Sequence, residues 1–281
     1  MKKILKPSLA ALALALVSGA SFAQTGISAT PHNLTSTGPA GANKQSTTEQ
    51  ICVFCHTPHA ANTAVSAPLW NKNNPATSYS VYSTANSSTI DGNVLAVGSV
   101  SAACLSCHDG TQAMDNIINA PGSGGYAATG GGADGLGYAW TGSRVDPTGK
   151  MTNAGGFIAN LGADLTNDHP IGIQYCGGGL TGSGNTVNGT CNDLDFVRPV
   201  TRSINNTQVF WVDTTNNRTR SKNDIILYTR TFTGGATGPS VECASCHDPH
   251  TAAGAPGGAA DVNFMRVTTA GSKICLACHV K

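Results

Sequence analysis

Eight of the ten cysteines in this chain fall into four units of one pattern, and a histidine follows each unit directly. The units are Cys52-Val53-Phe54-Cys55-His56, Cys104-Leu105-Ser106-Cys107-His108, Cys243-Ala244-Ser245-Cys246-His247 and Cys275-Leu276-Ala277-Cys278-His279. On a helical turn, positions i, i+3 and i+4 share one face, so each unit presents two thiols and an imidazole in the same direction. The chain has few large apolar side chains for a core of its own: 6% of its residues are aromatic, and 34 of the 281 are glycine. Something other than polypeptide is expected to supply buried apolar surface.

C-x-x-C-H is the attachment sequence for c-type haem. The two thiols reach the two vinyl groups of one porphyrin, and the adjacent histidine rises to the iron. Structural zinc also uses paired C-x-x-C units, but it has no need of a histidine after every pair. With only eight histidines in 281 residues, chance would almost never place one after all four units. The sequence therefore predicts four haem c groups, attached at Cys52 and Cys55, Cys104 and Cys107, Cys243 and Cys246, and Cys275 and Cys278. His56, His108, His247 and His279 are the predicted proximal iron ligands.

Four histidines remain for four sixth positions: His32, His59, His169 and His250. That equality predicts bis-histidine ligation throughout, with low reduction potentials relative to His/Met sites. Met114, Met151 and Met265 are competing ligands that the count leaves unneeded. His59 and His250 sit in one repeated word, C-H-x-P-H. Three residues beyond a proximal histidine, neither can reach round to the far face of the same porphyrin. Each is predicted to serve a different haem, which brings the haems together as close pairs.

Residues 1–23 read as a secretory signal. Lys2, Lys3 and Lys6 precede an uncharged run from Leu9 to Val17, and Ser21-Phe22-Ala23 offers a cleavage site. Cleavage would take the formal charge from +1 to −2 through loss of those three lysines. The run is too short to span a bilayer, and the mature chain is predicted to have no membrane span. With no basic patch, nucleic-acid binding is excluded. In an exported chain Cys176 and Cys191 are predicted to form a disulfide.

Residues 24–281 read as a single tetrahaem domain, with a haem-free, loop-rich insertion at about 112–240. Pro121 to Gly137 is glycine-rich and predicted to be irregular. Pro170 argues against helix at His169. Gln208–Val212 and Asp224–Thr233, with turn-like Asp213–Asn217 between them, predict one β-hairpin. Trp70 and Trp211 are read as packing residues. The expected fold is mostly irregular coil, with short helices at the haem motifs, a small β-hairpin and a haem-filled core: a multihaem cytochrome c.

The words Pro31-His32-Asn33-Leu34, I-C-V-F-C-H-T-P-H (51–59), Pro68-Leu69-Trp70-Asn71, C-L-S-C-H-D-G-T (104–111), Asn167-Asp168-His169-Pro170 and V-E-C-A-S-C-H-D-P-H (241–250) span the mature chain. Together they resemble the tetrahaem outer-surface cytochromes of metal-respiring bacteria, some of which polymerise into extracellular nanowires. The resemblance implies stacked bis-histidine haems, electron delivery to external acceptors by way of redox partners, and a cell-surface or extracellular location, with the periplasm as the alternative. It also implies that one histidine binds a haem of a neighbouring subunit, and His32 is the candidate for that role. A monomeric tetrahaem carrier is the second reading. An enzyme is the third and is disfavoured, because catalysis at haem needs an open iron position and four spare histidines can close all four.

Overall fold

The computed structural model describes residues 26–121, 135–154, 158–181, 189–251 and 264–280. The signal segment, and most of the glycine-rich stretch read as loop, lie outside them. No helix of the described residues is long and apolar enough to cross a membrane.

The first half of the chain is held largely by loops. Strand β1 (Lys44–Gln45) pairs antiparallel with β2 (Trp140–Thr141), and helix α1 (Ser99–His108) lies between them in sequence. A small apolar cluster of Val65, Trp70, Ala102 and Ala103 seats α1 against the loop that follows the first motif.

The second half is built on a five-stranded antiparallel sheet. Its strands are β3 (Ile173–Gln174), β4 (Val200–Ile204), β5 (Thr207–Val212), β6 (Ile225–Thr231) and β7 (Thr237–Val241), in the spatial order β3-β7-β6-β5-β4. Two short helices carry the later motifs, α2 (Cys243–Cys246) and α3 (Lys273–Cys278). Asn205 and Asn206, at φ +50° and +61°, form the two-residue turn between β4 and β5. Asparagine tolerates this left-handed geometry, and its twist matches that of the paired strands. In β5 and β6 the register places Phe210 opposite Leu227, Trp211 opposite Ile226 and Val212 opposite Ile225. All six are buried, so both faces of the sheet are covered at this end.

The expected fold, mostly irregular coil around a haem-filled core, is corrected here: the regular structure is mostly strand, in two antiparallel sheets, with few short helices. The predicted hairpin strands do pair, but they are two of five in a continuous sheet. The main apolar core is polypeptide: Tyr175, Leu180, Phe210, Val212, Ile225, Leu227 and Val241, packed around Cys176 and Cys191. The physical reason is that alternate large apolar residues of β5 and β6 pair across the sheet and meet Tyr175, Leu180 and Val241, so the strands bury one another without a further group.

Cys176 and Cys191 are disulfide-bonded across 15 residues within this core. The Cys176→Ala/Cys191→Ala double variant should lose about 3 kcal/mol of stability, as expected for opening a loop of that length. Guanidinium denaturation followed by circular dichroism measures it.

Candidate functional site

Each of the four motifs lies on a helical turn, and the same bond recurs in them. The N–H of His56 donates to the carbonyl of Cys52 at 2.8 Å, that of His247 to Cys243 at 3.1 Å and that of His279 to Cys275 at 2.9 Å. The second motif closes α1. These i to i+4 bonds align both cysteines of a motif with its histidine on one face.

Two histidine pairs meet across the structure. The rings of His32 and His108 are 6.0 Å apart, and those of His56 and His250 are 6.1 Å apart. Van der Waals ring stacking would be closer. Two imidazoles ligating one metal atom from opposite sides, through bonds of about 2 Å, would have ring centres about 6 Å apart. The residues thus fit an iron whose remaining ligands come from a macrocycle. Among the described residues no three His, Cys, Asp or Glu side chains converge as a metal cluster, so no Cys₄ or Cys₂His₂ zinc arrangement forms.

The ring nitrogens are arranged accordingly. His56 Nδ1 bonds the Pro68 carbonyl at 2.7 Å, and His108 Nδ1 bonds the Ala159 carbonyl at 2.7 Å. His169 Nδ1 bonds the Pro170 carbonyl at 3.0 Å, and His32 makes a longer contact of 3.4 Å with the Pro249 carbonyl. His250 Nδ1 faces Asp248 Oδ1 at 3.3 Å. A carbonyl partner makes Nδ1 the protonated nitrogen and leaves Nε2 as the lone pair. Burial, with His108 alongside, holds His32 down at about 4. Burial also lowers His108 and His247, whereas the Asp248 hydrogen bond raises His250.

His250 belongs to the third motif's C-H-x-P-H word, yet it faces the first motif's His56. The sequence expectation is that His250 serves a haem other than that of its own motif. His32, the candidate for reaching a neighbouring subunit, stacks on Phe264 at 4.2 Å and faces His108 within its own chain. His59 and His169 are exposed. Met114 is buried with its sulfur toward Asn43 Nδ2, and Met265 forms a backbone bridge with His247.

The motif thiols neighbour one another in sequence order. Cys55 is pushed up to about 12 by burial and by Cys107 of the second motif. The Cys104 S–H donates to Cys243 of the third, raising Cys104 and lowering Cys243. Cys246 is raised to about 11 by burial, with Cys243 and then Cys275 of the fourth motif adding to the shift.

The joint between the second and third motifs is polar and was not legible in the sequence. Glu242, immediately before α2, is buried; its carboxylate accepts from Arg230 of β6 at 2.7 Å, from Ser101 of α1 and from Ser240 of β7. Ser101 Oγ also accepts the Cys243 N–H at 3.0 Å. Glu242→Ala would leave Arg230 and Ser101 without their shared acceptor. It should cost about 3 kcal/mol, read by guanidinium denaturation. Glu242→Gln, which still accepts from Ser101, should cost less.

A comparison with protein-family models returns no match for this chain, and a comparison with curated proteins likewise returns none.

Proposed function

We propose that this chain is an exported electron-transfer protein that holds four haem c groups and is not an enzyme. The observation that carries the reading is the pair of imidazole–imidazole separations near 6 Å, each combining a C-x-x-C-H histidine with a histidine from a distant segment. When bound, haem supplies a one-electron iron couple. The chain's part is to fix and orient. The cysteines of each motif would hold the haem covalently, and the adjacent histidine would bind its iron. His32 and His250 would supply the remaining iron ligands at the second and first motifs. The backbone carbonyls of Pro68 and Ala159 hold the proximal rings in one tautomer and one orientation, which limits rearrangement when the oxidation state changes.

In the extended form of this reading the chain is a homopolymer that passes electrons to external acceptors at or beyond the cell surface, with one histidine shared between copies. Because His32 faces His108 of its own chain, the exposed His59 and His169 are the residues left to reach outward. The position of His32 equally favours the second reading, a discrete tetrahaem carrier. Electron microscopy of the secreted protein separates the two: filaments support the conduit, and single particles support the carrier.

The core proposal is tested by mass. The secreted protein should exceed its polypeptide mass by four haems. His32→Ala and His250→Ala should each convert one haem of the oxidised protein from low spin to high spin by electron paramagnetic resonance. Absence of haem from the intact protein, or an unchanged low-spin spectrum in both variants, overturns it.

A further inference from the structure

Lys72 is completely buried. Its ammonium donates to three backbone carbonyls, those of Ala113 at 3.0 Å, Met114 at 3.1 Å and Asn116 at 3.3 Å. Those three bonds use all its protons. Among the described residues no carboxylate forms an ion pair with it. Asp115, on the same loop, is buried too, but its carboxylate faces away: it accepts from the backbone of Leu136 and Tyr138 and from Trp140 Nε1.

A lysine ammonium is almost never buried unless paired, because desolvating it costs several kcal/mol. Three neutral carbonyls satisfy its hydrogen bonds without cancelling its charge. The charge therefore acts on whatever lies nearby through a medium that screens it far less than water does.

What lies nearby is the first motif. Asn71, the preceding residue, donates its backbone N–H to the Cys55 carbonyl at 2.9 Å and its side-chain amide to the Val53 carbonyl at 2.7 Å. Lys72 is thus tied to the backbone of the first attachment turn. Its charge lowers the Cys55 thiol against the larger effect of burial, while Asp115 makes no comparable contribution there.

We propose that Lys72 is a potential-setting residue, whose fixed buried charge raises the reduction potential of the haem at Cys52 and Cys55. The inference rests on the haem reading given above. Reduction removes one positive charge from the iron centre, so a neighbouring cation favours the reduced form.

The test uses the intact haem-loaded protein and three variants. Lys72→Met keeps the length of the side chain and removes the charge. Asn116→Asp keeps Lys72 and adds a carboxylate on a residue whose carbonyl it already holds. Asn116→Leu is the neutral control at the same position. Each is titrated potentiometrically, with the haem-methyl proton resonances of the first motif followed separately. Lys72→Met and Asn116→Asp should each lower the first haem's potential by about a tenfold change in its reduction equilibrium, about 59 mV for one electron. The other three should move much less, and Asn116→Leu should leave all four in place. Should Lys72→Met fail to mature, the comparison of Asn116→Asp with Asn116→Leu decides. Four haems by mass with an unmoved first potential overturns the role of Lys72 alone. An equal fall at all four haems, or an equal fall in Asn116→Leu, overturns it as well. A protein without four haems overturns the functional reading on which it rests.

Discussion

The Glu242 carboxylate is enclosed between α1, α2 and the sheet, and it accepts from a residue of each neighbour: Ser101 from α1, Arg230 from β6 and Ser240 from β7. Its own residue also forms a reciprocal box with Ser245 that starts α2. Two attachment turns on different segments, at 104–108 and 243–247, are therefore registered against one strand by one buried acceptor. Cys104 and Cys243 come within hydrogen-bonding distance because of it. Directional bonds suit this task better than apolar packing does, since packing tolerates sliding and a charge-assisted network has one satisfied arrangement. The spacing between these two motifs is set by the Glu242 network.

The rest of the first half uses the same device on a smaller scale. This chain is short of large apolar residues but rich in Asn, Asp, Ser and Thr, which bond readily to nearby backbone. Asn71 is fully buried; it donates to the carbonyls of Val53 and Asn119 and accepts from the Asn119 N–H. Asp109, just past the second motif, accepts from Thr77, Tyr79 and Thr111. Apart from the local Thr111 bond, these contacts join residues eighteen or more positions apart. They hold loops that have neither helix nor sheet to support them.

What was legible in the sequence follows from this difference. The four C-x-x-C-H turns could be read because their residues recur at local spacing. The pairing of β5 with β6 was signalled by dense Val, Ile, Phe and Trp. The rest of the sheet was not. β3 has only two residues, β7 reads Thr-Gly-Pro-Ser-Val, and β4 exposes its last three residues, so none shows the apolar alternation of a strand. The partner of His32 was hidden because 76 positions separate it from His108 and no local pattern spans that gap. Lys72 sits in Asn71-Lys72-Asn73-Asn74, which reads as an exposed turn. Its burial depends on carbonyls some forty residues away.

The sheet also explains how the fourth motif is held, which the Glu242 network does not reach. Ile274, Ala277 and Cys278 of α3 pack on the apolar core under β5 and β6. The Val197 N–H donates to the Cys278 carbonyl at 2.8 Å, the Val280 N–H donates to that of Asp195 at 2.7 Å, and Tyr175 Oη reaches the carbonyls of Val197 and Cys278. The disulfide between Cys176 and Cys191 lies in the same core and closes the loop directly before 195–197. The covalent link thus stiffens the platform on which the last attachment turn rests. The motifs are thus held in two ways: a polar network joins motifs two and three, and an apolar, cross-linked sheet lies beneath motif four. Apolar packing holds the turn that the polar network does not reach.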